Sequence, residues 1–368
     1  MSRQPILCIA GGGTGGHVMP AIALADAARE RWPGLTVQFI GAERGLEARL
    51  LPERGEEVLL LSMHGIKGAG LLQRLRVACW ELPQAIRRIR TSWQGRRPDL
   101  VVGVGGYASA SGVLAALVSR IPVVLYEQNA MPGLVNRLLA RFCKKIMLGF
   151  AAAKEHLHRA PCVVTGNMVR AAIAAVRWQP HIPSRLLVMG GSQGARFLND
   201  TVPDACVQLA AQGYSFTVTH LAGNDAATCQ QVAERYAQAG IEATVLPFCD
   251  DMPAFFSSGD LLIARSGAMT VAEAASCGMP SLFVPLPIAA DDHQRFNAEA
   301  LASVGGAEVL NQRDTSAGTL AATLTRLLFS PDRLAEMSSA SLTAAPLEAR
   351  RKQLEVLTEF LAVEGAKQ

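Results

Sequence analysis

Two Rossmann-like α/β domains in tandem are predicted from three observations. Short apolar runs alternate with amphipathic segments along the 368 residues, the alternation restarts near Gly166, and each half opens on a strand-like run, a glycine-rich turn and a helix-like segment. Such alternation indicates parallel sheets built from right-handed βαβ units, with a ligand cleft between the carboxyl ends of their strands. The composition agrees. Half the residues are hydrophobic, 18% are charged, 33 are glycine and 5% are aromatic, which suits tight strand-to-helix turns better than a β-sandwich. A chain this apolar can offset its conformational entropy, so disorder is excluded, and the length suits two domains of about 150–200 residues.

Strands are expected at Ile6–Ala10, Thr36–Ile40, Val58–Leu61, Leu100–Val104, Val123–Tyr126 and Lys145–Leu148. In the second half they are expected at Arg185–Gly190, Phe216–Leu221, Ala243–Phe248, Asp260–Ala264, Ser281–Val284 and Glu308–Leu310, with helices between. The first domain then spans 1–168 and the second 169–345. From Pro331 the chain is rich in Ala, Leu, Arg and Glu and should form two helices; whether the last, within 346–368, packs back on the first domain is left open by periodicity.

The eight cysteines are scattered with no Cys-x-x-Cys pair, so neither a zinc cage nor a disulfide framework is expected. The start, with one basic residue before a five-residue apolar run, reads as a strand and not as a signal peptide, which points to a reducing cytoplasm. Leu100–Ser119 and Ala274–Ala290 are apolar, but glycines and serines interrupt the first and three prolines the second. They read as strand and helix units and not as membrane spans.

Three loops carry the candidate chemistry. Gly11-Gly12-Gly13-Thr14-Gly15-Gly16-His17 lets the backbone approach a ligand and presents a helix start to an anion. It also fits G-x-G-x-x-G, with Glu43 where a ribose-binding acid could sit, so a dinucleotide oxidoreductase is a second hypothesis beside a turn that serves only the fold. Gly190-Gly191-Ser192-Gln193-Gly194-Ala195 repeats the logic in the second half. In Arg265-Ser266-Gly267-Ala268-Met269-Thr270, Ser266 or Thr270 could cap the following helix, or the loop could hold a pyrophosphate with Glu273, one turn on, accepting both ribose hydroxyls. Further along, Asp291 and Asp292 read as caps, while His293, Gln294 and Asn297 could bond sugar hydroxyls. There is no Walker A string and no Asp-x-Asp, so charge on a leaving diphosphate would fall to helix starts, amides and Arg170.

Seven segments together resemble the bacterial N-acetylglucosaminyltransferases that convert lipid I to lipid II in peptidoglycan synthesis. They are Gly12–Pro20 (GGTGGHVMP), Gly103–Ser111 (GVGGYASAS), Glu127–Gly133 (EQNAMPG), Gly166–Arg170 (GNMVR), Gly190–Ala195 (GGSQGA), Arg265–Glu273 (RSGAMTVAE) and Asp291–Ala298 (DDHQRFNA). The resemblance implies a GT-B type fold, two Rossmann-like domains facing a central cleft, the first on the acceptor and membrane side and the second on the donor side. It implies transfer, with inversion, of N-acetylglucosamine from UDP-N-acetylglucosamine to the C4 hydroxyl of N-acetylmuramic acid in undecaprenyl-pyrophosphate-linked pentapeptide. No cofactor and no metal are implied. Thr14, Gly15 and Gly16 would line the diphosphate region, Asn129 and Arg170 would contact the donor, and Ser192 a donor phosphate. Ala268, Met269, Thr270, Val271, Ala272 and Glu273 would wrap the diphosphate and ribose, Cys249 would flank the uracil, and Gln294 would read the sugar hydroxyls. Three residues depart from the family pattern: Tyr126 stands where a histidine is usual, Met168 where a proline is, and Cys249 where an aliphatic residue is.

Inversion needs one displacement at C1, a base for the acceptor hydroxyl and stabilisation of departing UDP. His17, at a helix start, is the first candidate base; Glu127 and Asn129 are the others, and the sequence does not rank them. Between His64 and Arg97 lie eight basic residues (Lys67, Arg74, Arg76, Arg87, Arg88, Arg90, Arg96, Arg97) against Glu81 alone, an excess larger than the whole chain's +4. Leu75, Cys79, Leu82, Ile86 and Ile89 recur at helical spacing and should face the core, with Trp80 on another face and Leu71 and Leu72 just before. That pattern reads either as a solvated helix face or as a surface for anionic lipid on the cytoplasmic face of the plasma membrane. Nucleic acid is not expected as a partner, since aromatics are few. Cell-wall and division proteins are left open as partners, along with a part in cell shape and division.

Overall fold

A computed structural model describes residues 4–13, 15–62, 70, 76–157, 160–191, 194–287, 289 and 292–361. The chain divides into two compact units, Met1–Met168 with Glu348–Gln368, and Val169–Leu347.

In the first unit the strands are β1 (Ile6–Gly11), β2 (Thr36–Ala42), β3 (Val58–Leu61), β4 (Leu100–Gly105), β5 (Val123–Glu127), β6 (Lys145–Leu148) and β7 (Cys162–Val164). They form a parallel sheet in the order β3-β2-β1-β4-β5-β6-β7, so the strand order reverses between β1 and β4. Alternate side chains serve opposite faces. Leu7 and Ile9 join one core with the Gly15–Arg31 helix, Trp32 and the Ala349–Thr358 helix. Cys8 and Ala10 join the other with helices Leu82–Ser92, Tyr107–Val118 and Leu134–Leu139. The sequence reading has no counterpart of β7, three residues at the edge of the sheet.

A π-helical turn, Val77–Glu81, leads into the Leu82–Ser92 helix. Val77, Glu81, Ala85 and Ile89 are buried at successive fourth positions, while Cys79 is exposed. Within the wider turn Cys79 faces solvent, which corrects its placing in the core, whereas Ile89 is buried and Ile86 packs against the core as expected. Leu71, Leu72 and Leu75 lie outside the described residues.

The second unit holds β8 (Ser184–Met189), β9 (Phe216–Leu221), β10 (Glu242–Leu246), β11 (Leu261–Ala264), β12 (Ser281–Phe283) and β13 (Ala307–Val309), parallel in the order β10-β9-β8-β11-β12-β13. Asp260 pins the segment that enters β8. Its carboxylate accepts from His181 N at 2.8 Å and Arg185 N at 2.6 Å, lies 2.9 Å from His181 Nδ1, and its carbonyl accepts from Trp178 Nε1 at 2.9 Å. The tail forms helices Pro331–Thr343 and Ala349–Thr358. The second of these belongs to the first unit: Arg350 pairs with Glu30, Glu359 with Lys145, and Gln353 Nε2 donates to Gly166 O at 2.8 Å. Among the described residues, no helix is long and apolar enough to cross a membrane.

Candidate functional site

In the first unit the candidate residues gather at the carboxyl ends of β1, β4 and β5. The first glycine loop follows β1 and is closed over a carboxylate. Glu47, 1% exposed, accepts from Gly13 N and from Ala42 N, each at 2.8 Å. A Cβ on Gly12, Gly41 or Gly45 would meet the Glu47 side chain at 2.1, 2.4 or 2.2 Å. The Glu47 side chain fills the space that a Cβ at those glycines would need. A pyrophosphate laid on this loop would need the Gly13 amide, which Glu47 already holds, so the dinucleotide-oxidoreductase hypothesis loses its anchor.

His17 sits in the first turn of the Gly15–Arg31 helix. Its Nδ1 is 3.1 Å from Oε1 of Gln128. Its ring lies against Gly105, where an added Cβ would meet Cε1 at 2.8 Å, at a φ of +100° that favours glycine. Gln128 is itself fixed, since its carbonyl accepts from Asn167 Nδ2 at 2.9 Å and Asn167 Oδ1 accepts from the Tyr126 hydroxyl at 3.1 Å. Tyr126 thus ties β5 to the Gly166–Met168 segment.

Glu127 is 1% exposed and its carboxylate is fully used. Oε1 accepts from Asn129 N at 2.9 Å and Asn129 Nδ2 at 3.2 Å; Oε2 accepts from Gly133 N at 2.9 Å and Asn136 Nδ2 at 2.8 Å. Four donors occupy the lone pairs that a base needs. That geometry corrects the reading of Glu127 as a proton acceptor: it shapes the loop that presents Asn129.

In the second unit, β11 runs through Arg265–Gly267 into the Ala268–Cys277 helix. The cap is Gly267, with no side-chain cap bond. The capping expectations for Ser266 and Thr270 are therefore not met. The Ser266 hydroxyl, fully buried, donates instead to Gln294 O at 2.8 Å. Asn297 Nδ2 donates to Ser266 O at 3.2 Å, and Arg265 Nη1 to Val284 O at 2.9 Å. These bonds lock the helix start to the Val284–Leu286 segment and to the His293–Ala302 helix. Ala268, Met269 and Thr270 present first-turn amides that have no acceptor inside the helix. Val271 and Ala272 do not: the Val271 amide donates to Gly267 O at 3.0 Å, and both side chains are buried in the core. Helical hydrogen bonding takes those two amides away from a ligand, so of the segment's backbone N–H groups those of Ala268, Met269 and Thr270 are the ones open to a diphosphate.

Glu273, 15% exposed, faces Arg170 at 4.0 Å, the edge of ion-pair range. Burial pushes its carboxyl up to about 7, and the Arg170 guanidinium offsets only part of that rise. Gln294 Oε1 accepts from Leu286 N at 3.0 Å, which sets the side chain's orientation and turns Nε2 to donating duty. Asp292 has a left-handed backbone and no cap bond, and its carboxylate pairs with Arg295 in place of the expected cap. Cys249 Sγ donates to Asp251 O at 3.3 Å, beside the exposed Phe248. Gly15 and Gly16 open the first helix of the first unit. Thr14, Ser192 and Asp291 lie outside the described residues.

The chain matches the glycosyltransferase family 28 N-terminal domain over residues 7–148 and the C-terminal domain of the same family over 185–354. It is 42% identical to the UDP-N-acetylglucosamine–N-acetylmuramyl-(pentapeptide) pyrophosphoryl-undecaprenol N-acetylglucosamine transferase of Syntrophotalea carbinolica, over 91% of this chain and 93% of that protein. It belongs to glycosyltransferase family 28. The enzyme of the same name from Magnetococcus marinus is 43% identical over 89% of this chain and 90% of its own length. The crystal structure of Acinetobacter baumannii MurG aligns at a TM-score of 0.78 and 31% identity, covering 96% of this chain and 99% of that one. The two parallel-sheet units are the GT-B type fold of this family.

Family membership makes two residues of the first unit worth separate notice, because the motif reading passed over both. Glu47 lies outside the seven segments, and its only signal is an acid set among Gly41, Gly45 and the loop glycines. Gln128 lies inside one, between Glu127 and Asn129, yet nothing in the string EQN says which of the three would reach His17.

Proposed function

We propose that this chain transfers N-acetylglucosamine from UDP-N-acetylglucosamine to the C4 hydroxyl of the N-acetylmuramic acid of lipid I, inverting C1 and releasing UDP, to give lipid II for peptidoglycan. The observation that carries the reading is identity of 42–43% over about nine-tenths of the chain to transferases of that name. The second unit takes the donor: the first-turn amides at Ala268–Thr270 oppose diphosphate charge, Arg170 adds a cation, Glu273 accepts the ribose hydroxyls and Gln294 reads the sugar. Ser192 reaches a donor phosphate and Cys249 flanks the uracil. The first unit takes the acceptor beside Gly15, Gly16 and His17. His17 is the base, and Glu127 holds the Asn129 loop. Departing UDP is stabilised by amides and Arg170, without a metal.

The acceptor is a membrane lipid, so the first unit meets the bilayer on its cytoplasmic face. Trp80 is 64% exposed, and Leu134, Leu138 and Phe142 are exposed at successive fourth positions on the same helical layer. Arg87, Arg88, Arg90, Arg137 and Arg141 are polar neighbours in sequence, and each well-placed charge contributes about 1 kcal/mol on anionic lipid. Through lipid II the enzyme serves cell shape and division.

The deciding experiment measures UDP release from UDP-N-acetylglucosamine in excess EDTA, with and without a soluble lipid I analogue. Release that depends on the analogue is expected. No release after magnesium is restored, with folded protein and verified acceptor, overturns the transferase reading and leaves another UDP-sugar enzyme of the same fold, such as an epimerase.

A further inference from the structure

The geometry points to Gln128 as the positioning residue that sets the tautomer of His17. This inference rests on the transferase reading and goes beyond it in naming which imidazole nitrogen takes the proton and what makes it available.

Three contacts define the imidazole. Gly105 backs the ring on one side, the helix start fixes its Cα, and Gln128 Oε1 faces Nδ1 at 3.1 Å. A carboxamide oxygen only accepts, so Nδ1 carries the hydrogen and Nε2 keeps its lone pair. The remainder of Gln128 cannot turn easily. The residue is 1% exposed, and its backbone is held by Asn167, which is itself held by Tyr126. The cost of this arrangement is visible: among the described residues, the buried Gln128 Nε2 has no hydrogen-bond partner. A buried amide with one end unmet has a structural penalty, and the end that is met is the one on His17.

In the reaction the C4 oxygen of the acceptor forms its bond to C1 as the C1–O bond to the diphosphate breaks. The electron pair leaves on UDP, and the hydroxyl proton passes to Nε2 of His17. The resulting imidazolium donates through Nδ1 to Gln128, whose amide dipole is already oriented for it. Without that acceptor an imidazole favours hydrogen on Nε2, and the base is masked.

The experiment uses full-length protein with 15N-labelled histidine at pH 8, with His17→Asn to identify the resonance. Long-range proton–nitrogen spectra of the wild type should show His17 protonated at Nδ1 and bare at Nε2. In Gln128→Leu the hydrogen should move to Nε2, and kcat should fall about 10- to 100-fold while KM for the donor stays within about threefold, as expected for loss of base catalysis alone. Gln128→Glu keeps an acceptor at Nδ1 and should retain the wild-type tautomer and most of kcat. A wild-type spectrum with hydrogen on Nε2 overturns the inference, as does a folded Gln128→Leu enzyme with unchanged kcat. If Gln128→Leu does not fold, the wild-type spectrum and Gln128→Glu still decide. The tautomer is read without turnover, so a wild type that makes no product fails the transferase reading separately.

Discussion

Glu273 shows how one burial sets a pH dependence. Its carboxyl titrates near 7 in the folded chain against an ordinary 4.5. In the proposed donor site the ionised form is the one that would accept two ribose hydroxyls, so UDP affinity should rise as pH goes from about 6 to 8 and level off above, by up to about tenfold per unit below the midpoint. Glu273→Gln should flatten that profile and weaken UDP about 10- to 100-fold, the size of a lost charge-assisted pair of bonds; titration calorimetry across the range checks both. Stability moves the other way. The folded state binds the proton more tightly than the unfolded chain, so the carboxyl's contribution is full below pH 4.5 and is lost as pH rises to about 7. The loss is on the order of 3 kcal/mol, and Glu273→Gln should remove it. Glu47→Gln tests a different role. It turns an amide NH2 toward Gly13 N or Ala42 N, and should destabilise the first unit by about 1–3 kcal/mol with a fall in kcat through the displaced loop. Unchanged melting of the first unit would show that the loop holds without the carboxylate.

At the scale of elements, turns and caps decide where side chains point. Asp260, just before β11, gathers the entry to β8 through three donors. Asp260→Ala leaves them without an acceptor, and should cost the second unit roughly 2–4 kcal/mol in denaturant unfolding while leaving the first unit's transition in place. The π turn at Val77–Glu81 and the glycine cap at Gly267 acted in the same way on the sequence reading. Strand positions came through to within a residue or two, because buried parallel strands are apolar runs bounded by turns. Cys79 did not, because it sits within the widened Val77–Glu81 turn and faces solvent, while Ile89 beyond the turn stays in the core. Nor did Ser266: its hydroxyl found a carbonyl 28 residues away in place of the neighbouring amides.

For the molecule as a whole, two sheets with separate cores predict unfolding in more than one transition. UDP should raise only the later or earlier of them, the one that belongs to the second unit. Membrane association should be electrostatic in onset. Flotation with vesicles of anionic lipid should capture the chain at low salt and release much of it at about 0.5 M, where screening shortens to a few ångströms. Arg87→Glu with Arg88→Glu should weaken capture, and Trp80→Ser should weaken what survives salt. Equal capture by neutral vesicles would remove the basic surface from the account.

The sequence by itself determined the alternation of strands and helices, the two glycine-opened halves and the family, since these depend on local periodicity and on short strings in order. It also carried His17, Glu273 and Gln294 as chemistry in waiting. Only the tertiary structure decided what each does with its neighbours. Glu47 meets Gly13 across 34 positions and Gln128 meets His17 across 111. Which acceptor a side chain finds, as the Ser266 hydroxyl finds Gln294 O and the Asn167 amide finds Gln128 O, depends on hydrogen bonds that form when the strand ends come together. Periodicity holds no record of those distances.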